Sequence, residues 1–295
     1  MTEPENDSQF RWYPAAMVNI TNRCTLRCKH CFIYRDGNPN QPEHEMETDL
    51  MLRSLTELQQ RHNIHTMLWM GGEPLLRPDV LREGSKIFQQ NNVTTNGTLD
   101  LIDLPNCIYV VSVDGPPQIN DSIRGNGAFE RVMRTLARVP DVFGPTVMVQ
   151  CVVTKLNEDH LEELVERLLP TRVEGMTFSF YVPRRIDDSD FTWGSLDRRD
   201  KAVLEVIRLK KKHPDFIWNN SRSLELTLSQ NARAVVKQCL SKRFVLPLWL
   251  EGDKFINPFC CYGNDVDCEL CGAWVVFHLA ARRERSPIAP DPSPK

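Results

Sequence analysis

Between residues 16 and 182 the sequence switches repeatedly from short β-branched, apolar runs to longer amphipathic stretches of helical period, and this alternation limits the choice of fold most severely. A strand, a helix that returns across it and a further parallel strand make a βα unit, and several in succession build one parallel sheet covered by helices. The runs are AMVNIT (16–21), IHTMLWM (64–70), NVTT (92–95), IYVVSV (108–113), TVMVQCVVT (146–154) and GMTFSFYV (175–182). Helices are expected near 47–62, 79–90, 127–138 and 158–169, with only a short turn or helix after the third run. In the last of them Leu161, Leu164, Val165, Leu168 and Leu169 recur at i, i+3 and i+4, the stripe of a helix that packs on a sheet. Six such units are too few for a closed eight-fold barrel. They suit an α/β fold of open, partial (β/α)6 barrel form, with functional loops at the carboxyl ends of the strands.

After residue 182 the alternation stops. YVPRRIDDSDFTWGS reads as a loop, 197–213 as a charged helix ending before Pro214, and the remainder as a cysteine-rich extension. The expected organisation is a disordered tail (1–12), the barrel (13–196), a helical and cysteine-rich auxiliary metal region (197–281) and a second, Pro-rich disordered tail (282–295). Lys210, Lys211 and Lys212 suit the solvated last turn of a helix, where cations complement the dipole. A net charge of -3, with both signs interspersed, argues against a nucleic-acid partner. No apolar run is long enough to span a bilayer and the start lacks the features of a secretory signal, so a cytoplasmic protein without a transmembrane segment is expected.

In a reducing compartment, ten cysteines point to metal ligands or small core residues rather than disulfides. Cys107 and Cys151 sit inside apolar β runs and read as core. Cys24, Cys28 and Cys31 instead follow the first strand at x3 and x2 spacing, close enough to wrap one small cluster. Three cysteines on a cubane leave one iron open to an outside ligand, whereas structural zinc wants four closed ligands, and His30 is too near its neighbours to complete a tetrahedron comfortably.

Three more motifs follow in order: Gly71-Gly72-Glu73-Pro74 after the second strand, Thr94-Thr95-Asn96-Gly97 after the third, and Ser112-Val113-Asp114-Gly115 closing the fourth. With the cysteine loop they resemble those of radical S-adenosylmethionine enzymes over residues 14–182. That resemblance implies a 4Fe-4S cluster on Cys24, Cys28 and Cys31 whose open iron holds S-adenosylmethionine, and one-electron cleavage of the sulfonium to methionine and a 5'-deoxyadenosyl radical. It further implies that backbone groups of Gly71, Gly72 and Glu73 meet the methionyl ammonium, that Asn96 and Ser112 line the cofactor, that the His30 backbone meets adenine, and that Arg124 pairs with the carboxylate, a surface salt bridge being the other reading of Arg124. Gly72→Val is expected to weaken cofactor binding while sparing the cluster. Many relatives carry an aromatic residue at the position of His30, and here Phe32 follows the third cysteine instead.

A second group, Cys261, Cys268 and Cys271, again has ligand spacing. Cys239 is preferred to Cys260 as a fourth ligand, because adjacent Cys260 and Cys261 face opposite ways on an extended chain. An auxiliary iron-sulfur cluster is expected, with structural zinc as the alternative. The layout is similar to that of the hopanoid adenosyl-transferase branch, in spacing only. The substrate, whether small molecule, lipid or peptide, is not legible, and the reaction is open between hydrogen abstraction, adenosyl addition and carbon-carbon coupling. An electron donor such as a flavodoxin or ferredoxin is implied. The competing readings are an iron-sulfur electron-transfer or binding protein that does not cleave the cofactor, and a zinc-stabilised structural module.

Overall fold

The computed structural model describes residues 12–31, 33–34, 45–258 and 265–285. In chain order its elements are β1 (Ala15–Asn19), α1 (Thr48–His62), β2 (Thr66–Met70), α2 (Pro78–Gly84), β3 (Gln90–Thr95), β4 (Cys107–Ser112), α3 (Pro117–Arg124), α4 (Ala128–Ala137), β5 (Thr146–Val153), α5 (Leu161–Leu168) and β6 (Gly175–Phe180). There follow α6 (Leu196–Lys212), α7 (Ser221–Thr227), α8 (Ser229–Lys237), α9 (Ser241–Phe244), β7 (Val245–Glu251), β8 (Lys254–Ile256) and α10 (Trp274–Arg285).

Each of β1 to β6 pairs in parallel with its sequence neighbours, the order that successive βα units produce, and the sheet stays open. Strand alternation then sorts the two faces. Ala16, Val18, Met67, Trp69, Val93, Tyr109, Val111 and Val149 are wholly enclosed beneath the helices. Met17, Leu68, Val110, Ser112 and Gln150, on the opposite face, remain half-buried. Helix α2 approaches β2 closely because it places Gly84 over the Trp69 ring, where a Cβ would lie 2.4 Å from a ring carbon. Cys107 and Cys151 are buried in the core, as expected.

The region beyond 196 is not wholly a separate appendage: β7 returns to pair in parallel with β1, and β8 folds back on β7 to complete an eight-stranded sheet. Pro247 hides this strand from a sequence reading, since proline rarely occupies a central strand. It is tolerated because β8 pairs only with Trp249–Glu251, which leaves the stretch around Pro247 an edge with β1 as its sole strand neighbour. The opposite edge is covered by irregular chain. Met176 N donates to Phe216 O (2.7 Å), Asn219 brackets Phe178 with its side-chain amide (2.8 and 2.9 Å), and Phe180 N donates to Gly272 O (2.8 Å). The β6 edge is thereby closed to pairing with another chain.

Two smaller expectations change. Helix α3 forms where none was expected, and α10 runs through Arg285 into the stretch expected to be a disordered tail, held by buried Ala281 and by Glu284 pairing with Arg222 (2.7 Å). The lysine run is a solvated helix end: Lys210 Nζ donates to Pro214 O (2.6 Å) and Lys212 pairs with Glu162 (2.7 Å).

Candidate functional site

The motifs meet at the carboxyl ends of β1 to β4, and they hold one another more than they stand open. The loop carrying Cys24, Cys28 and Cys31 leaves β1, and the glycine turn after β2 lies against it: Gly72 N donates to Thr21 O and Glu73 N to Arg23 O, both at 2.8 Å. A Cβ at Gly72 would lie 2.0 Å from Arg23 O, and one at Gly71, whose φ is +155°, 2.7 Å from Thr21 O. The glycines therefore admit the cysteine loop. A side chain at Gly72 would press on the cysteine loop itself, at Arg23 and Cys24.

Glu73 is buried, and its carboxylate accepts from Leu75 N (3.1 Å), Thr95 Oγ1 (2.7 Å) and Asn96 N (2.8 Å). Burial pushes its pKa up to about 7 against these hydrogen bonds. Asn96 in turn donates from Nδ2 to Thr25 Oγ1 (2.8 Å), with Cys24 Sγ at 3.6 Å. The side chains of Glu73 and Asn96 thus brace the turns after β2 and β3 against the cysteine loop.

Asp114, enclosed at the end of β4, is the hub that the site-residue expectations missed, although its motif was recognised. Its Oδ2 accepts from Arg124 Nε (2.5 Å) and lies 2.8 Å from His30 Nε2, while Oδ1 accepts from Val152 N (2.9 Å). Burial alone would raise its pKa, but the Arg124 charge, then His30, hold the carboxyl well below the usual range. Arg124 is itself buried, with Nη1 4.0 Å from Cys28 Sγ. Arg124 is not a surface ion pair: it is enclosed, and its Nε is taken by Asp114. His30 contributes its ring here, with Phe191 at 5.8 Å between centroids. Ser112 stands half-buried on the open face at the end of β4, where it was expected.

Burial raises the pKa of the Cys28 thiol to about 11 and that of Cys24 above its ordinary value, and in both cases the charge of Cys31 adds to the rise. The three sulfurs share one electrostatic environment. Among the described residues no three His, Cys, Asp or Glu side chains converge as ligands of a single ion. A cubane requires no such convergence, since each thiolate takes a different iron, and the donor set fits that group.

The second cysteine group lies at the same end of the sheet, beside β6. Cys268 and Cys271 flank a 3-10 turn capped by Asp267, whose side chain accepts from Glu269 N (2.9 Å). Gly272 allows the next step of the chain to touch Phe180, and Trp274 N donates to Ser179 Oγ (3.1 Å). Cys239, just beyond α8, and Cys271 pack on one apolar cluster that includes Leu226 and Phe277. Cys260 and Cys261 lie outside the described residues. Arg199 of α6 closes over the turn, donating from Nη1 to Leu270 O (3.3 Å) and Cys271 O (3.1 Å) and from Nη2 to Thr227 O (2.7 Å). Nothing in the sequence marked Arg199 out from the other charges of its helix.

The model of the Radical SAM superfamily matches residues 18–168, just over half of the chain. The chain belongs to the radical SAM superfamily. Among radical SAM relatives, molybdenum cofactor biosynthesis protein 1 of Bos taurus is 30% identical over 173 residues, 54% of this chain and 27% of that protein. The tungsten-containing aldehyde ferredoxin oxidoreductase cofactor-modifying protein of Pyrococcus furiosus is 29% identical over 184 residues, 56% of this chain and 51% of that one. The chain thus spans about a quarter to a half of the length of these two relatives. In fold it is similar to Streptococcus suis SuiB bound to the precursor peptide SuiA, with a TM-score of 0.63 at 14% identity over 81% of this chain and 58% of SuiB. It is similar also to native anSMEcpe with bound AdoMet, with a TM-score of 0.58 at 19% identity over 72% of this chain and 66% of that one. Radical SAM proteins are enzymes, and membership implies a 4Fe-4S cluster and S-adenosylmethionine as cofactors. No helix among the described residues is long and apolar enough to cross a membrane.

Proposed function

We propose that the chain cleaves S-adenosylmethionine reductively at a cluster held by Cys24, Cys28 and Cys31, and uses the resulting radical to modify a substrate. One observation carries this reading: the four motif loops that the family match contains dock on one another at the carboxyl end of a single open sheet. The bound cluster and cofactor would supply one-electron scission of a carbon-sulfur bond. The chain's own share is positioning. Glu73 and Asn96 brace the Cys24 side of the loop, and Asp114, through His30 and Arg124, braces the Cys28 side. Ser112 and Gln150 face the half-open surface, where a cofactor and substrate would lie. Hydrogen abstraction, adenosyl addition and carbon-carbon coupling all remain compatible with this surface, as do peptide, small-molecule and lipid substrates, and a flavodoxin or ferredoxin is the kind of donor required.

We assign the second cysteine group to an auxiliary metal site on Cys239, Cys261, Cys268 and Cys271, with an iron-sulfur cluster preferred to zinc. Its support is the fixed Cys268–Cys271 turn and the shared apolar seat of Cys239 and Cys271. The test of both readings is anaerobic reconstitution followed by dithionite reduction. The wild-type chain is expected to form 5'-deoxyadenosine and methionine slowly without substrate, and the variant with Cys24, Cys28 and Cys31 all replaced by alanine none, while retaining the second metal. A reduced wild-type chain that holds its cluster yet leaves S-adenosylmethionine intact would move the function to electron transfer. Zinc in place of iron and sulfide in the triple variant would make the second site a structural clip.

A further inference from the structure

Among the described residues three arginines are buried, and their surroundings differ in kind. Arg124 meets Asp114 at 2.5 Å and Arg77 meets Asp79 at 3.2 Å. Arg199, only 2% exposed, meets no carboxylate within ion-pair distance among the described residues. Its guanidinium is held by three backbone carbonyls and lies 5.8 Å from the Phe180 ring centroid, and its Nε is buried with no hydrogen-bond partner. The nearest acidic side chain in sequence, Asp200, points the other way, accepting from Ser229 N (2.8 Å) and Ser229 Oγ (2.5 Å).

Carbonyl dipoles solvate a buried cation but do not neutralise it, and an enclosed charge without a countercharge is strongly destabilising. Two of the three carbonyls belong to Leu270 and Cys271, inside and at the end of the CxxC turn. Asp200 adds some negative field but is bonded to Ser229, and the group on the clamped turn that acts on Arg199 most strongly is the Cys271 thiol. A metal group on several thiolates carries net negative charge and keeps it, because bound thiols are deprotonated outright.

The geometry points to Arg199 as the counter-ion of a thiolate-bound metal group on Cys268 and Cys271, a positioning residue that both fixes the turn through its carbonyls and offsets the charge of the site. The inference rests on the second metal site proposed above. It deepens that reading by stating the sign of the site's charge and naming the residue that balances it. It also accounts for an arginine in place of lysine: the planar fork reaches carbonyls on two segments at once, those of residues 270–271 and Thr227.

The experiment uses the full chain, prepared anaerobically, as wild type, Arg199→Lys and Arg199→Gln. Lysine keeps the charge and loses the fork, whereas glutamine keeps amide donors for the carbonyls and loses the charge. Bound iron, sulfide and zinc are assayed first, then the rate at which a chelator strips the second site. Arg199→Gln is expected to lower metal affinity roughly 10- to 100-fold, the range for partners just outside a ligand shell, with Arg199→Lys closer to wild type. The urea midpoint gives an independent reading. Replacing Cys268 and Cys271 together by serine is expected to destabilise the wild-type background more than the Arg199→Gln background, because only the former is left with an uncompensated cation. If Arg199→Gln holds metal as well as wild type, or if the two changes are additive in stability while metal is bound, Arg199 is a carbonyl clamp alone and the metal site stands without it. If wild type holds no metal beyond the first cluster, the second site itself is refuted, and this inference with it.

Discussion

Glu73 is enclosed at the end of β2, where its carboxylate accepts from Leu75 N, Thr95 Oγ1 and Asn96 N. Its folded pKa, about 7 against an ordinary 4.5, means that the folded chain binds this proton more tightly than the unfolded one. The associated stability is therefore full below about pH 4.5 and is lost as pH rises through 7, amounting to about 3 kcal/mol at most. For the metal-free chain, urea midpoints across this interval should fall with pH in wild type and stay flatter in Glu73→Gln; parallel curves would assign the titration elsewhere. Asp114 has the opposite sign. Its depressed pKa adds stability that is present above the unfolded carboxyl value and lost on acidification. Asp114→Asn leaves Arg124 buried without a partner charge, and about 3 to 5 kcal/mol should be lost, measured as a lower urea midpoint at neutral pH. Gly72→Ala drives a methyl into Arg23 O and should cut iron incorporation on reconstitution, so that loss of S-adenosylmethionine binding follows from a displaced loop; full iron content would contradict this.

At the scale of elements, what was legible in the sequence and what was not divide by physical cause. Strands β1 to β6 and helices α1, α4, α5 and α6 announce themselves because their burial is periodic: Leu161, Leu164, Val165 and Leu168 all turn to the core. Strand β7 does not, since Pro247 contradicts the pattern and its permissibility depends on how short β8 is, a fact of pairing rather than of composition. The loops that carry Cys24, Cys28 and Cys31 and the other motifs were legible, since each falls at the carboxyl end of a strand. The contacts that Glu73, Asn96 and Arg124 make with neighbouring loops were not, because they depend on which loops the sheet order brings together. Strand β7 also supports the site directly, with Trp249 edge-on to Tyr34 at 6.1 Å between centroids, and Tyr34 donating to Thr21 O (3.2 Å). Trp249→Ala should therefore weaken retention of the first cluster besides costing about 0.5 to 1.5 kcal/mol for the ring pair, and a chelation time course would separate it from a neutral surface change.

For the whole molecule, the two cysteine groups sit near opposite flanks of one sheet, the first after β1 and the second beside β6, so they share a scaffold rather than occupying separate domains. Ending the chain after Phe244 would remove β7 and the CxxC segment together. It should expose the β1 edge and the Phe180 end of β6 and shift the protein into aggregates on size-exclusion chromatography; a well-behaved monomer would show that the six-stranded portion is self-sufficient. The pairing of Ala15 with Val245 also has a meaning in time. During synthesis β2 to β6 emerge in the order in which they pair, but β1, the strand that presents the first cysteine loop, gains its second neighbour only when most of the chain has left the ribosome. Its thiols are held by a half-supported strand until then. Iron delivery should accordingly follow release of the finished polypeptide, and a nascent chain stalled before Val245 should take up a cluster poorly even with Cys24, Cys28 and Cys31 already outside the exit tunnel.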